Sequence, residues 1–240
     1  MSHTTIVEGV EDADDETHVS DWRNIDKVRT TYDVVAEMYS RDLADDMVAR
    51  PLERGMFQAF SELVRGAGDG PIGDVGCGPG HVAKHLASLG MSVTGVDVSA
   101  AMIAQAKLRF PEGKFQLASM FELPMTTGLW AGAISLYATL HCNAEERARA
   151  YRELSRVVRP GGFVMHGFYV SAQDLPPGSI YHLDKWFGYK VDVDVHFIGI
   201  DDAAEEMTRA NFEVMAALVR EPLNANELPT RRCYMIGKRR

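Results

Sequence analysis

The spacing of apolar side chains predicts two amphipathic helices near the start of the chain. In the first, apolar residues recur at steps of three and four from Trp22 onward: Ile25, Val28, Tyr32, Val35 and Tyr39. The second is predicted at about 52–64, where a further apolar stripe has the same period. Because this period matches the helical repeat, each helix is expected to bury one face against the rest of the molecule.

Beyond these helices, short apolar runs with strand character alternate with helical patterns. The predicted strands are 71–75, 91–98, 113–118, 131–137 and 161–170. The helices predicted between them are 81–89, 100–109 and 144–158. Strands and helices that alternate in this way indicate right-handed crossovers and a parallel sheet covered on both faces.

The alternation stops after Val170, in a segment rich in aromatic residues and histidines at 171–200. A helix at about 201–210 and strands at 212–219 and 232–237 follow. The first twenty residues are acidic and poor in large apolar side chains, which predicts a mobile tail. A single domain at 21–240 is then predicted in four parts: a helical cap at 21–69, a cofactor-binding core at 70–170, a lid insertion at 171–200 and a C-terminal part at 201–240.

Charge and cysteine content limit the partners and the compartment. Acidic residues outnumber basic ones by 34 to 25, and the formal charge of -9 argues against a nucleic-acid partner held through its phosphates. The three cysteines form no CxxC pair, and an odd count favours a reducing compartment, so we expect a cytoplasmic protein. No apolar run approaches the roughly 20 residues that span a bilayer, so no membrane association is expected.

A glycine-rich turn, "GDVGCGPGHVAKHL" at 73–86, lies between a predicted strand and a predicted helix. The dinucleotide pattern GxGxxG places a third glycine where this chain has His81, and no GK[ST] follows as a phosphate loop requires. These differences weaken both a nicotinamide-cofactor site and a Walker site. A purely structural glycine turn remains open from this stretch alone.

The stretch "DVGCGPG", followed by "GVDVSAAMIAQA", resembles two motifs of the Rossmann-like class I S-adenosylmethionine-dependent methyltransferases. Asp97 ends the second strand, 21 residues after Gly76, where a carboxylate can accept hydrogen bonds from both hydroxyls of a ribose. The resemblance continues through "VRTTYDVVAEMYS", "ASMFELPM", "WAGAISLYATLHC" and "ELSRVVRPGGFVM", and it covers the chain from about Val28 to the C-terminus.

The resemblance implies an α/β fold, with a doubly wound, seven-stranded, mostly parallel sheet whose last strand is antiparallel, an N-terminal helical cap and a lid insertion. It implies S-adenosylmethionine as cofactor and S-adenosylhomocysteine as product. In the family, the usual acidic contact to adenine stands where this chain has Ser119, which carries no charge. The implied cofactor-binding residues are Tyr32, Tyr39, Asp74, Gly76, Cys77, Gly78, Gly80, Asp97, Val98, Met102, Ser119, Met120, Phe121 and Leu136.

Methyl transfer requires a nucleophile placed behind an already electrophilic carbon, so no metal is expected. His141 is the first candidate for a general base, because imidazole titrates near neutrality, and a positioning role for it remains open. Other candidate substrate contacts follow the fourth and fifth strands or lie in the insertion: Tyr137, His166, Tyr169, His182, Trp186, Tyr189 and His196. A core role for His166 and a satellite apolar core for the insertion are the structural alternatives.

Missing motifs narrow the substrate class. The chain has no [DN]PPY after the fourth strand, no PCQ cysteine and no paired-glutamate loop, so nucleic-acid bases and protein arginines are not expected. A small molecule methylated on O, N, S or C remains, handled by a monomer or homodimer. Two alternatives are a protein of this fold that binds S-adenosylmethionine without methyl transfer and a nicotinamide-dependent oxidoreductase.

Overall fold

The structure is a computed structural model that describes residues 16–42, 49–225 and 227–240. Its helices are α1 (Glu16–Asp42), α2 (Pro51–Gly66), α3 (His81–Ser88), α4 (Ala100–Arg109), α5 (Ala144–Val157) and α6 (Ile200–Arg209), with a 3₁₀ turn at Ala138–His141. Because α1 begins at Glu16, the last five residues of the predicted mobile tail are helical. Residues 1–15 of that tail lie outside the described residues.

Seven strands form one sheet: β1 (Ile72–Val75), β2 (Val93–Asp97), β3 (Lys114–Leu117), β4 (Trp130–Leu136), β5 (Val158–Ala172), β8 (Phe212–Arg220) and β9 (Thr230–Arg239). Their order across the sheet is β3-β2-β1-β4-β5-β9-β8. The first five strands pair in parallel, and β9 is antiparallel to both β5 and β8. The predicted fold class, a mostly parallel seven-stranded sheet with its last strand antiparallel, is confirmed.

The segment 171–200 contains two strands that were not predicted, β6 (Ile180–Trp186) and β7 (Tyr189–His196). They pair with each other in a separate antiparallel hairpin. The sequence "VDVDV" at 191–195 carries the signal that was overlooked: Val191 and Val193 are buried, whereas Asp192 and Asp194 are exposed. This period of two is typical of a half-buried strand.

The sheet separates two clusters of buried apolar side chains. On β5, Phe163 packs in one cluster and its neighbour Val164 in the other. Successive side chains of a strand point to opposite faces, so the clusters lie on the two sides of the sheet. Helix α2 supplies Phe57 and Phe60 to the first cluster. Burial on both faces fixes the sheet and therefore the positions of its strand ends.

The carboxyl ends of β1, β2 and β4 meet at one edge of the sheet, the usual position of a ligand crevice in this architecture. Helix α1 crosses this edge and contacts α4 and β7. Asp33 of α1 accepts hydrogen bonds from the Ser99 hydroxyl (2.6 Å) and from the Ala101 N–H (3.1 Å), at the start of α4. A carboxylate at a helix N-terminus is electrostatically favourable, so this contact holds α1 over the crevice.

Candidate active site

A cavity that is partly open to solvent lies at the carboxyl ends of the central strands. The residues lining it come from α1, the glycine turn and the ends of β2 and β4: Asn24, Ile25, Val28, Tyr32, Tyr39, Gly76, Gly78, Val96, Asp97, Val98, Ala118, Met120, Phe121, Leu136, Tyr137, Ala138, His141 and Cys142.

The glycine turn forms one wall of the cavity. Gly76 has φ +76°, and a Cβ atom built on it would lie 2.2 Å from the Cβ of Ala138. Gly78 has φ +50° and also lines the cavity. Both residues therefore have backbone conformations that side chains rarely adopt, and Gly76 also needs the space that a side chain would take. The turn presents backbone, rather than side chains, to a ligand.

Asp97 supports this turn and faces the cavity at the same time. One carboxylate oxygen accepts the Gly78 N–H (2.8 Å) and the other accepts the Ser99 N–H (2.9 Å). Burial raises the pKa of the Asp97 carboxyl, and the backbone hydrogen bonds oppose that shift. An ionised carboxylate has about four lone-pair sites, so Asp97 can hold the turn and still accept two hydroxyl groups from a ligand.

Asp74 lies beneath the same wall and is almost completely buried. Among the described residues, no partner is found for its Oδ2 atom. Burial, together with the nearby Asp97, raises the pKa of the Asp74 carboxyl to about 7. A buried carboxylate with an unsatisfied oxygen is costly, and a cationic ligand group brought near it would offset that cost.

His141 also lines the cavity and lies in the 3₁₀ turn after β4. Its Nδ1 is 2.7 Å from the backbone oxygen of Asp194 in β7, and its Nε2 is 2.9 Å from the hydroxyl oxygen of Tyr32 in α1. A carbonyl oxygen only accepts, so Nδ1 carries the proton and donates. Burial lowers the pKa of His141, which makes the neutral ring the resting form. Nε2 therefore accepts the Tyr32 hydroxyl proton.

Trp186 of the hairpin packs on two tyrosines that line the cavity, although neither Trp186 nor any other residue of 180–196 is among the lining residues. The ring of Trp186 lies edge-on to Tyr39, with centroids 5.2 Å apart, and to Tyr32, with centroids 5.7 Å apart. Val191 of β7 is buried against Val35 and Met102. The hairpin and α1 therefore pack together over the cavity, and an exposed ion pair between Lys27 and Asp192 (3.0 Å) joins their outer edges.

The structure brings together eleven of the side chains and backbone positions predicted for the site. These line the cavity: Tyr32, Tyr39, Gly76, Gly78, Asp97, Val98, Met120, Phe121, Leu136, Tyr137 and His141. Seven further lining residues were not predicted: Asn24, Ile25, Val28, Val96, Ala118, Ala138 and Cys142. Ile25 and Val28 share the apolar face of α1 with Tyr32, so their helical spacing carried a signal for their position.

Several predicted cofactor contacts lie outside the cavity wall. Cys77 and Met102 are buried within the apolar clusters, and Gly80 faces the ring of Phe115. The Ser119 hydroxyl accepts the Phe121 N–H (3.2 Å) within its own turn. With Asp74, which lies one layer deeper, these residues support the wall and do not form its surface.

Most of the predicted substrate contacts also lie outside the cavity wall. His166 is buried between the hydroxyls of Thr139 (2.7 Å) and Tyr151 (2.5 Å), so the core alternative describes its position. Tyr169 lies behind Tyr137, with ring centroids 5.0 Å apart. Tyr189 is exposed at the hairpin turn, His182 is exposed and His196 is half-buried, all outside the lining. The cavity lining therefore does not support the predicted contacts of Tyr189, His182 and His196 with a substrate.

Neither a metal-binding cluster nor a membrane-spanning helix is found among the described residues. Across residues 16–42, 49–225 and 227–240, no three His, Cys, Asp or Glu side chains lie close enough together to hold a metal ion. In the same ranges, no helix has the length and apolar character needed to cross a bilayer. Cys77, Cys142 and Cys233 are free and buried.

Residues 72–162 match a family model described as a methyltransferase domain. The malonyl-[acyl-carrier protein] O-methyltransferase of Salmonella typhimurium is 33% identical over 113 residues, which are 47% of this chain and 44% of the relative. The sterol methyltransferase-like 1 protein of Botryococcus braunii is 27% identical over 183 residues, which are 70% of this chain and 46% of the relative. The chain thus spans less than half the length of these two curated relatives.

The fold is similar to that of a solved methyltransferase, an S-adenosylmethionine-dependent enzyme from Methanosarcina mazei. The TM-score is 0.64 at 19% identity, and the match covers 71% of this chain and 92% of that chain. At this identity the likeness shows the fold alone. The likeness confirms the predicted architecture, and the match to the domain model supports the predicted domain type over residues 72–162.

Proposed function

We propose that this protein, in which residues 72–162 form a methyltransferase domain of the Rossmann-like class I type, transfers the methyl group of S-adenosylmethionine to a small-molecule acceptor. The observation that carries the proposal is a single cavity lined by two different sets of groups, which we term its first and second ends. One end has the glycine turn and Asp97, and the other has the Tyr32–His141 pair. A nucleoside-binding wall and a proton-accepting pair therefore face the same space.

The residues at the first end fit the cofactor. Asp97 has the remaining lone pairs to accept the ribose hydroxyls, and the backbone of Gly76 and Gly78 allows close approach. The buried, unsatisfied Oδ2 of Asp74 suits the positively charged amino group of the methionine portion, reached directly or through water. When bound, the cofactor supplies an electrophilic methyl group on a sulfonium.

The residues at the second end suit removal of a proton from the acceptor. An acceptor hydroxyl or amine that donates to the Tyr32 oxygen can lose its proton there, while Tyr32 passes its own proton to Nε2 of His141. The Nδ1–H of His141 stays bonded to the Asp194 carbonyl, which orients the ring and stabilises its charged form. In this proposal His141 acts as the base through Tyr32, which modifies the simpler role predicted from the sequence.

The hairpin of β6 and β7 serves as the lid. Trp186 covers Tyr32 and Tyr39, and the Asp194 carbonyl holds His141, so the hairpin closes the cavity and completes the acid–base pair. Excluding water from this end strengthens the hydrogen bonds made to the acceptor and protects the reaction from solvent.

The acceptor and the cellular setting follow from less specific observations. The relative from Salmonella typhimurium is named as an O-methyltransferase, and the relative from Botryococcus braunii is named after sterols. These names and the acidic charge support a small-molecule acceptor rather than a nucleic acid. Three buried free thiols fit a reducing cytoplasm, and the protein is proposed to act as a monomer or homodimer.

Calorimetry and a turnover assay test the proposal together. S-adenosylmethionine and S-adenosylhomocysteine should bind at one site per chain and raise the melting temperature, whereas NAD(H) should leave it unchanged. If neither adenosyl compound binds, the proposal is wrong. Incubation with a pool of small metabolites should then yield S-adenosylhomocysteine together with a methylated product. Cofactor binding with no such product in any pool would favour the alternative of a binding protein without methyl transfer.

A further inference from the structure

We infer from the hydrogen-bond directions in the cavity that its acceptor end takes a neutral or cationic substrate whose methyl-accepting atom donates an O–H or N–H group, and that it rejects carboxylates and phosphates. This inference rests on the proposed function, because it specifies the substrate of that same site. It depends on where each polar hydrogen at this end of the cavity points.

The hydroxyl of Tyr32 has no hydrogen left for a ligand. Its proton is donated to Nε2 of His141, because the Nδ1–H of that ring is committed to the carbonyl of Asp194. The Tyr32 oxygen therefore offers only lone pairs to the cavity. The His141 ring itself has both nitrogens engaged and has no donor for a ligand.

The hydroxyl of Tyr137 is committed in the same way, through a longer chain. Tyr137 forms a short hydrogen bond with the hydroxyl of Tyr234, and Tyr234 donates to Oε1 of Glu53 (2.6 Å). The same Glu53 oxygen accepts from the Arg220 guanidinium, which leaves the carboxylate as acceptor only. Tyr234 donates its single hydroxyl proton to Glu53, so Tyr137 must donate to Tyr234. The lone pairs of the Tyr137 oxygen remain available to the cavity.

Burial keeps the direction of the hydrogen bonds from Tyr137 through Tyr234 to Glu53 fixed. Glu53, Tyr234 and Arg220 are all less than 10% exposed, so no bulk water competes for their hydrogen bonds. Arg220 also donates to Glu227 (2.7 Å), which fixes the guanidinium on its other side. Oε1 of Glu53 is the acceptor for both Tyr234 and Arg220, whereas Oε2 of Glu53 has no partner among the described residues. The chain from α2 through β9 to the cavity therefore positions Tyr137 without touching the ligand.

The side-chain amide of Asn24, which bonds to the His141 carbonyl, also has no hydrogen left for a ligand. The Asn24 amide nitrogen donates to the His141 carbonyl (2.9 Å) and to the carboxylate of Glu146 (2.9 Å), which uses both of its hydrogens. Among the described residues that line the cavity there is no Lys or Arg. A carboxylate placed here would lose its hydration and meet the lone pairs of Tyr32 and Tyr137, whereas an O–H or N–H donor would be satisfied by them.

A matched set of probes tests the inference on the intact protein. The probes are 2-naphthol, 2-methoxynaphthalene and 2-naphthoate, which share one apolar ring system and differ in the group offered to the tyrosines. Calorimetry with the protein saturated with S-adenosylhomocysteine should give a dissociation constant for 2-naphthol at least tenfold below those of the other two. Equal or tighter binding of 2-naphthoate overturns the inference, and so does a failure of all three probes to bind.

Variants of the buried chain separate this role from simple packing. Tyr234→Phe removes the acceptor for the Tyr137 proton and frees that proton to point into the cavity, so the preference for 2-naphthol over 2-naphthoate should fall at least threefold. Tyr137→Phe removes the oxygen itself and should weaken 2-naphthol alone by at least threefold. Tyr181→Phe, which changes an exposed tyrosine of the hairpin, should leave the preference unchanged.

The outcomes also separate this inference from the proposed function. Each variant is first required to bind S-adenosylhomocysteine as the parent protein does and to keep its melting temperature within a few degrees. If Tyr234→Phe and Tyr137→Phe pass that requirement and leave the probe preference unchanged, the inference is wrong. If S-adenosylhomocysteine does not bind the parent protein, the proposed function fails, and the preference measured on the cofactor-free protein still decides the inference.

Discussion

The Tyr32 hydroxyl donates a hydrogen bond to Nε2 of His141 across 2.9 Å, although the two residues are 109 positions apart in the chain. The contact joins α1 to the turn after β4, and the Asp194 carbonyl on Nδ1 adds β7 of the hairpin. Three separate segments therefore fix one imidazole ring. In the proposed mechanism a substrate reaches the base through the tyrosine, and formation of the pair requires both α1 and the hairpin to be in place.

The tautomer and the titration of His141 can be measured without a substrate. Because Nδ1 donates to a carbonyl and burial lowers the pKa from 6.5, we expect an Nδ1–H tautomer that is neutral at pH 7. The unfolded chain takes up this proton first as the pH falls, so this group decreases the free energy of unfolding below about pH 6.5. Nitrogen-detected imidazole NMR with a pH titration measures both properties.

A Tyr32→Phe variant tests the coupling within the pair. It removes the hydrogen bond that stabilises the neutral ring, so the pKa of His141 should rise toward 6.5. Tyr181→Phe is the control, because that tyrosine is exposed on the hairpin. An Nε2–H tautomer in the parent protein, or a titration midpoint above 6.5, would contradict the geometry described above.

Asp97→Asn should weaken the binding of S-adenosylmethionine by at least tenfold, which corresponds to about 1.4 kcal/mol. The variant keeps an oxygen for one of the two backbone N–H groups but removes the charged acceptor offered to the ribose. Calorimetry measures the dissociation constant. Asp201→Asn, at an exposed position in the first turn of α6, is the matched control and should bind as the parent protein does.

Strand and helix positions in the central part were predicted well because their signals are local. The runs at 71–75 and 131–137 are apolar enough to indicate buried parallel strands, and β1 and β4 lie within one residue of those limits. The β6–β7 hairpin was not predicted, although its buried Val191 and Val193 alternate with the exposed Asp192 and Asp194 and so carried a local signal. Its turn, with Phe187 at φ +49° and Gly188 at φ +86°, has the conformation typical of tight hairpins.

The site shows the same division between local and long-range signals. Asp97 and the glycine turn could be found from the sequence because their spacing is fixed within one strand-turn-helix unit. The pairing of Tyr32 with His141, and the chain from Tyr137 through Tyr234 to Glu53, depend on how distant elements pack. No local pattern encodes such contacts. The sequence therefore indicated the wall that we propose binds a nucleoside, but not how Tyr32, His141 and Tyr137 direct their protons.

Trp186→Ala should loosen the hairpin over the cavity. The indole packs edge-on against Tyr32 and Tyr39, and removing a large aromatic side chain from such a contact usually costs a few kcal/mol. Hydrogen exchange in residues 189–196 should become at least tenfold faster, and S-adenosylhomocysteine should bind severalfold more weakly. Tyr189→Ala, in the same turn but exposed, is the control, and equal effects in the two variants would argue against a specific role for Trp186.

Asp74→Asn should stabilise the cofactor-free protein while weakening cofactor binding. Burial raises the pKa of Asp74 from 3.8 to about 7, so the unfolded chain loses this proton first and the free energy of unfolding falls as the pH rises between those values. Asparagine removes that penalty, which should add about 2–4 kcal/mol at pH 8 and flatten the pH dependence. Denaturant unfolding from pH 4 to pH 8 measures this, with the exposed Asp69→Asn as control. The same variant should raise the dissociation constant of S-adenosylmethionine at least tenfold, because an amide cannot neutralise the amino group. A variant that matches the parent protein in both pH dependence and affinity would remove Asp74 from the site.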